Sequence, residues 1–256
     1  MESLTQLATS AMLPKIAFHG ILCEWQHAHR TSMDRFVIRA ELWSPAILSP
    51  LAATLDGLLG GVLFDTLQDV DAAHKAIPLV QTDELYHASV AQFEGAGLPG
   101  RHTQIAGLRA THDLRLDLIK TNAQGQPHRA LDVARRSGFG NVMNSYATVS
   151  AGAVYWHATG DAEAVLDLLE PVNFIGKRRA CGFGQVAGWE LIESELDGLV
   201  DANGLPLRPI PLDRWLTWGF TEDAVRADTA WKPAYWNPEH RAICAVPGDT
   251  RMEARQ

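Results

Sequence analysis

The stretch Gly176-Lys177-Arg178-Arg179-Ala180-Cys181-Gly182-Phe183-Gly184-Gln185-Val186 constrains this chain more than any other. It lies between Ala162–Leu169, where Val165, Leu168 and Leu169 fall at helical spacing, and an extended segment over 185–192. Glycines at such a helix-to-strand corner permit positive φ and a close backbone approach to a ligand. Lys177, Arg178 and Arg179 add consecutive cations, so glycine N–H groups and side chains together suit phosphate oxygens, with Phe183 as a ring for base stacking. The order excludes a dinucleotide fingerprint, which runs from strand through glycines into helix, and a P-loop, which needs Gly-Lys-Ser/Thr opening a helix. The residues alone leave a second reading open, in which the glycines only make a tight turn and the cations only solvate it.

The remaining strands and helices can be read around that corner. A first strand is expected over 15–24 and a second over 36–43, where Phe36, Ile38, Ala40 and Leu42 alternate with Val37, Arg39, Glu41 and Trp43. Helical spacing follows over 51–67, and its glycines, each costing up to about 1 kcal/mol in an isolated helix, predict close packing on a sheet. Leu114, Leu116 and Leu118 predict a strand within 108–119, and Gln124-Gly125-Gln126-Pro127 a turn. A strand over 147–158 with Val149, Ala151, Ala153 and Tyr155 on one side, then Asp161 as a cap, completes a strand, helix, corner, strand unit. These elements fit an α+β, ferredoxin-like core with an expanded middle at about 75–145. Residues 197–256 form an extension whose Trp215, Trp218, Trp231 and Trp236 predict packing on the core or a partner, with a loose end after Pro247.

A net charge of −8 argues against a protein that coats nucleic acid along its whole surface, because such binding neutralises many phosphates. A local basic groove survives that sign: Arg101, His102, Arg109, Arg115, Arg129, Arg135 and Arg136 cluster in the middle of the chain. Cys23, Cys181 and Cys244 are odd in number and widely spaced, which fits a reducing compartment, and a cytoplasmic location is expected. The apolar run over 51–67 is broken by Asp56, Asp65 and glycines, so no membrane association is expected. Cys23, His27 and His29 lack a second ligand pair, and Asp65, Asp69 and Asp71 lack calcium-loop spacing, so no metal or other cofactor is expected. His19 is the candidate general acid or base, should the site carry chemistry.

The corner over 176–186 resembles the C-terminal glycine-rich loop of the RAMP superfamily of CRISPR-associated RNA-binding proteins. With Leu55-Asp56-Gly57-Leu58-Leu59-Gly60 it is most similar to the Cas-five-type subunit of type IV effector complexes. The resemblance implies a modified ferredoxin-like, RRM-like RAMP fold, and a non-catalytic subunit that holds the 5′ handle of the guide RNA (crRNA) and caps the backbone filament in antiviral defence. Gly176, Lys177, Arg178, Arg179, Gly182, Phe183 and Gly184 would contact the handle, with His19, Arg101, Arg109, Arg135 and Arg136 as further RNA-binding candidates and a thumb-like projection from the middle. Implied partners are guide RNA, backbone and large-subunit-like effector proteins, and target DNA near the complex end. The alternative within the superfamily is a metal-independent endoribonuclease that processes repeat RNA through His19. A nucleotide-binding enzyme is a further alternative, although no nucleophile constellation or carboxylate pair accompanies the corner.

Overall fold

The computed structural model describes residues 34–95, 97–106, 121, 123–126, 142–221 and 223–248. Alternation places Phe36, Ile38, Ala40 and Leu42 of β1 (Asp34–Leu42) inward and buried, with Val37, Arg39 and Glu41 on the opposite face. Helix α1 (Leu55–Leu67) begins later than the expected 51, because the Thr54 hydroxyl accepts from Gly57 N–H at 3.3 Å and caps it, while Leu51 packs elsewhere. A short helix, α2 (Val70–Lys75), follows, and Asp69 is its cap rather than part of an acidic cluster. The short strands β2 (Gln81–Thr82), β3 (Leu85–Tyr86) and β4 (Gln92–Phe93) lead to two longer ones, β5 (Leu98–Ala106) and β6 (Val142–Ser150).

The single strand expected over 147–158 is two strands, β6 and β7 (Ala153–Gly160), which belong to different sheets. The inward side of β7 is Val154, Trp156 and Ala158, so Ala153 and Tyr155 do not share a face with Val149 as the sequence reading had it. Asp161 does cap the next helix, α3 (Ala162–Leu169), accepting from Ala164 N–H at 3.0 Å. The corner then leads into β8 (Val186–Glu193).

The main sheet is ordered β4-β7-β1-β8 and is antiparallel throughout. In chain order β1, α1, β4, β7, α3 and β8 make a βαββαβ unit, so the fold is ferredoxin-like, with β5 and β6 inserted as a separate two-stranded ribbon between β4 and β7. This unit is complete among the described residues with β1 as its first strand; the strands expected over 15–24 and 108–119 lie outside them. Helices α1 and α3 meet over one sheet face and bury Phe36, Ile38, Trp156, Leu59, Val165 and Leu169 with it. Two of the helix glycines serve other neighbours than the expected sheet: a Cβ at Gly60 would touch the His74 ring at 3.4 Å, and one at Gly57 would press on the Tyr235 ring at 3.0 Å, whereas one at Gly61 would meet open space.

Residues after β8 first cross the other sheet face. Thr159 donates to the Asp197 carbonyl at 3.0 Å, His157 Nδ1 lies 3.0 Å from Ser194 Oγ, and Gly198 sits so close to His157 and Ala88 backbone that it has no room for a side chain. The chain then forms β9 (Ile210–Pro211), α4 (Leu212–Thr217), β10 (Arg226–Ala230) and β11 (Arg241–Ala245), a small sheet ordered β10-β11-β9. Leu199, Ile210, Trp215, Trp231 and Cys244 form its core together with Leu85. No described helix is long and apolar enough to cross a membrane.

Beneath this second layer lies an ion pair. Arg208 and Asp56 are both fully buried, with Arg208 Nη2 3.2 Å from Asp56 Oδ2. Arg208 also donates to the carbonyls of Tyr86, Ala88 and Trp231, and to the Tyr235 hydroxyl at 2.9 Å, which in turn donates to Asp56 at 2.9 Å and accepts from Thr54 at 2.7 Å. Burial pushes the Tyr235 phenol far up, beyond its ordinary value, so it stays a donor across the physiological range.

Candidate nucleic-acid interface

The corner is fixed by backbone contacts at both of its ends. Ile175 N–H donates to Gly184 O at 2.9 Å, closing the loop on itself. Lys177 N–H donates to Ile47 O, Gly184 N–H to Pro45 O, both at 2.9 Å, and Gln185 N–H to Ser44 Oγ at 2.8 Å, so the loop is clamped onto the segment that follows β1. Gly176 has φ +79° and a Cβ there would lie 2.5 Å from Ile47 O; Gly184 has φ +68° and a Cβ would overlap Ile175 O. These two positions therefore need glycine for both conformation and space.

Between them, Arg179–Cys181 makes one 3-10 turn, in which Cys181 N–H donates to Arg178 O and Gly182 N–H to Arg179 O. This changes the expected chemistry. The N–H groups of Lys177, Cys181, Gly182 and Gly184 are spent on protein carbonyls, so these four are withdrawn from anion binding and the side chains carry more of it.

The cations divide. Arg178, itself at φ +61°, lies against Tyr146 of β6, donating to its hydroxyl with the guanidinium carbon 4.7 Å from the ring centre. Lys177 and Arg179 are exposed and have no side-chain partner among the described residues. Phe183 does not offer a free face: it is half-buried, 4.7 Å from the His102 ring. Cys181 is exposed beside Gln104, with no histidine partner among the described residues.

The face on which the corner rests is set by the ribbon register. His102 pairs with Tyr146 and Gln104 with Asn144, so these side chains share one face and reach the corner. Arg101, paired with Ala147, points to the opposite, exposed face and is not brought to the corner. His19, Arg109, Arg135 and Arg136, and the Cys23, His27, His29 set, lie outside the described residues. Among the described residues no group of three His, Cys, Asp or Glu side chains is placed to hold a metal. The sequence reading missed Tyr146 as a partner of Arg178; β6 alternation carries the signal, but only once β5 is known to lie alongside.

The sheet face away from the helices, the surface that an RRM-like fold leaves available, is a poor phosphate platform here. Arg39 at its centre is held by Glu94 at 2.8 Å and Glu190 at 3.2 Å, and the segment 194–198 covers His157 and Thr159. Among the described residues, unpaired cations therefore stand at the corner (Lys177 and Arg179) and at Lys75 and Arg101, and not at the centre of the sheet.

No family model matches this chain, and no curated protein does. A chain of the cryo-EM structure of the type III-B Cmr-beta bound to cognate target RNA aligns over 71% of this chain and 68% of its own, with 9% identity and a TM-score of 0.30. At that score the two share too little geometry for either to assign residues of the other. Fold and site themselves define the class: a ferredoxin-like α+β protein with an inserted ribbon and a rigid cationic corner entering the last strand.

Proposed function

We propose that this chain is a non-catalytic RNA-binding subunit of a CRISPR ribonucleoprotein complex, holding the 5′ handle of the guide RNA at the corner over 176–184. The finer reading is the Cas-five-type place in a type IV complex, where the chain caps the filament of backbone subunits and sits near target DNA. One observation carries the reading: Gly176 and Gly184 are sterically obligatory, so the loop is held rigidly, yet Lys177 and Arg179 at its crest have no side-chain partner among the described residues. Two fixed, unneutralised cations on an acidic protein suit a short stretch of phosphate backbone, and an overall charge of −8 suits a chain whose other surfaces meet proteins.

The test is a titration of single-stranded RNA at several salt concentrations. Replacing Lys177 and Arg179 with Ala should weaken binding and flatten the log–log salt slope by about 1.4, about 0.7 for each lost phosphate contact. An unchanged slope would sink the site. Incubation with repeat RNA in EDTA should leave the RNA intact, and cleavage would replace the scaffold reading with the nuclease one.

A further inference from the structure

Once Phe183 is paired with His102, the corner lacks the exposed ring that its sequence promises. Another ring stands beside it. Trp43 is 72% exposed, and its backbone N–H donates to Gln185 O at 2.9 Å, one residue from Gly184. Ser44 and Pro45, which follow it, accept the N–H groups of Gln185 and Gly184, so the backbone carrying the indole is hydrogen-bonded directly to the corner. The indole has no ring contact, cation partner or N–H acceptor among the described residues, in contrast to Trp156, Trp189, Trp215 and Trp218, each of which donates its N–H to the protein. Hydration of so large a ring is unfavourable, and neither the core nor the corner gains from it.

We propose that Trp43 is a stacking platform for one base of the single-stranded RNA whose phosphates are held by Lys177 and Arg179. This rests on the RNA-binding reading above and deepens it. It assigns the site a ligand with unpaired bases, since stacking on an indole needs a base face that a duplex keeps inside its own stack. It also divides the work: the cations supply the salt-dependent part of binding, and the indole a part that salt does not screen.

The experiment compares a mixed-sequence single-stranded RNA oligonucleotide with an abasic oligonucleotide of the same length, using the full chain. Trp43→Ala should weaken RNA binding about tenfold, the effect of losing one base–aromatic stack, while leaving the salt slope unchanged. Binding of the abasic strand should be the same for both proteins, Trp43→Phe should keep most of the affinity, and Trp236→Ala, which removes the other highly exposed indole among the described residues (78%), should change nothing. If Trp43→Ala binds RNA like the parent while Lys177→Ala/Arg179→Ala still flattens the salt slope, stacking is overturned and the corner stands. If the parent chain shows no salt-dependent RNA binding, both readings fall. Because the indole is outside the core, Trp43→Ala is expected to fold, and an unchanged thermal midpoint verifies it.

Discussion

Arg178 and Arg179 at the corner and Arg208 beneath the C-terminal layer are the same residue type in opposite settings. The corner guanidinium of Arg179 is exposed with no partner among the described residues, on a loop whose backbone is locked; Arg208 is fully buried and shares its donors among Asp56, Tyr235 and three carbonyls. Removing a solvated charge costs folding little, whereas removing a buried one strands its partner in a medium that cannot solvate it. Stability is thus expected to rest on the arginine the sequence did not advertise and, on the function proposed above, RNA binding on the cations it did.

The largest expected effect tests the buried side. Arg208→Met leaves Asp56 ionised without a counter-charge and should cost about 3–5 kcal/mol in urea denaturation. A loss below about 1 kcal/mol would mean that the C-terminal layer is not tied to α1 through this pair.

Gly184→Ala probes the opposite side through its frame rather than its charges. The added methyl collides with Ile175 O at positive φ, so a loss of about 1–3 kcal/mol is expected together with reduced RNA affinity. Full stability with full affinity would show that the corner tolerates another backbone path.

The smallest effect lies where the segment 194–198 crosses the sheet. Burial lowers the His87 pKa below its ordinary value, with Arg208 and Arg35 acting in the same direction and Asp197 opposing them; burial also lowers that of His157. Both are favoured as neutral rings when folded, so the unfolded chain takes up their protons first. Their stabilisation is complete above the unfolded value and is lost as pH falls through the folded ones. The urea midpoint should therefore drop between about pH 7 and about pH 5, and His87→Gln should reduce that drop. A drop of equal size in the variant would assign it to other groups.

Legibility differed between these regions for a physical reason. Period-two burial in 36–42, the 162–169 helix with its Asp161 cap, and the glycine corner were all readable, because each is governed by neighbours within a few residues. The split of 147–158 was not, because both halves are extended and only their pairing, β6 with Leu98–Ala106 and β7 with β1, separates them. Asp56 and Gly57 looked like parts of one helix motif; their roles are set by Arg208 and Tyr235, distant in sequence.

Taken alone, the sequence determined the α+β class and the helix–glycine–strand corner with its cations, since local periodicity and glycine's missing Cβ dictate both. Tertiary structure decided which of those cations are free, turned Phe183 inward against His102, placed Trp43 beside the corner, and buried Arg208 against Asp56. Those outcomes depend on which strands lie side by side, and long-range pairing is settled by the packing of the whole core rather than by any single stretch of chain.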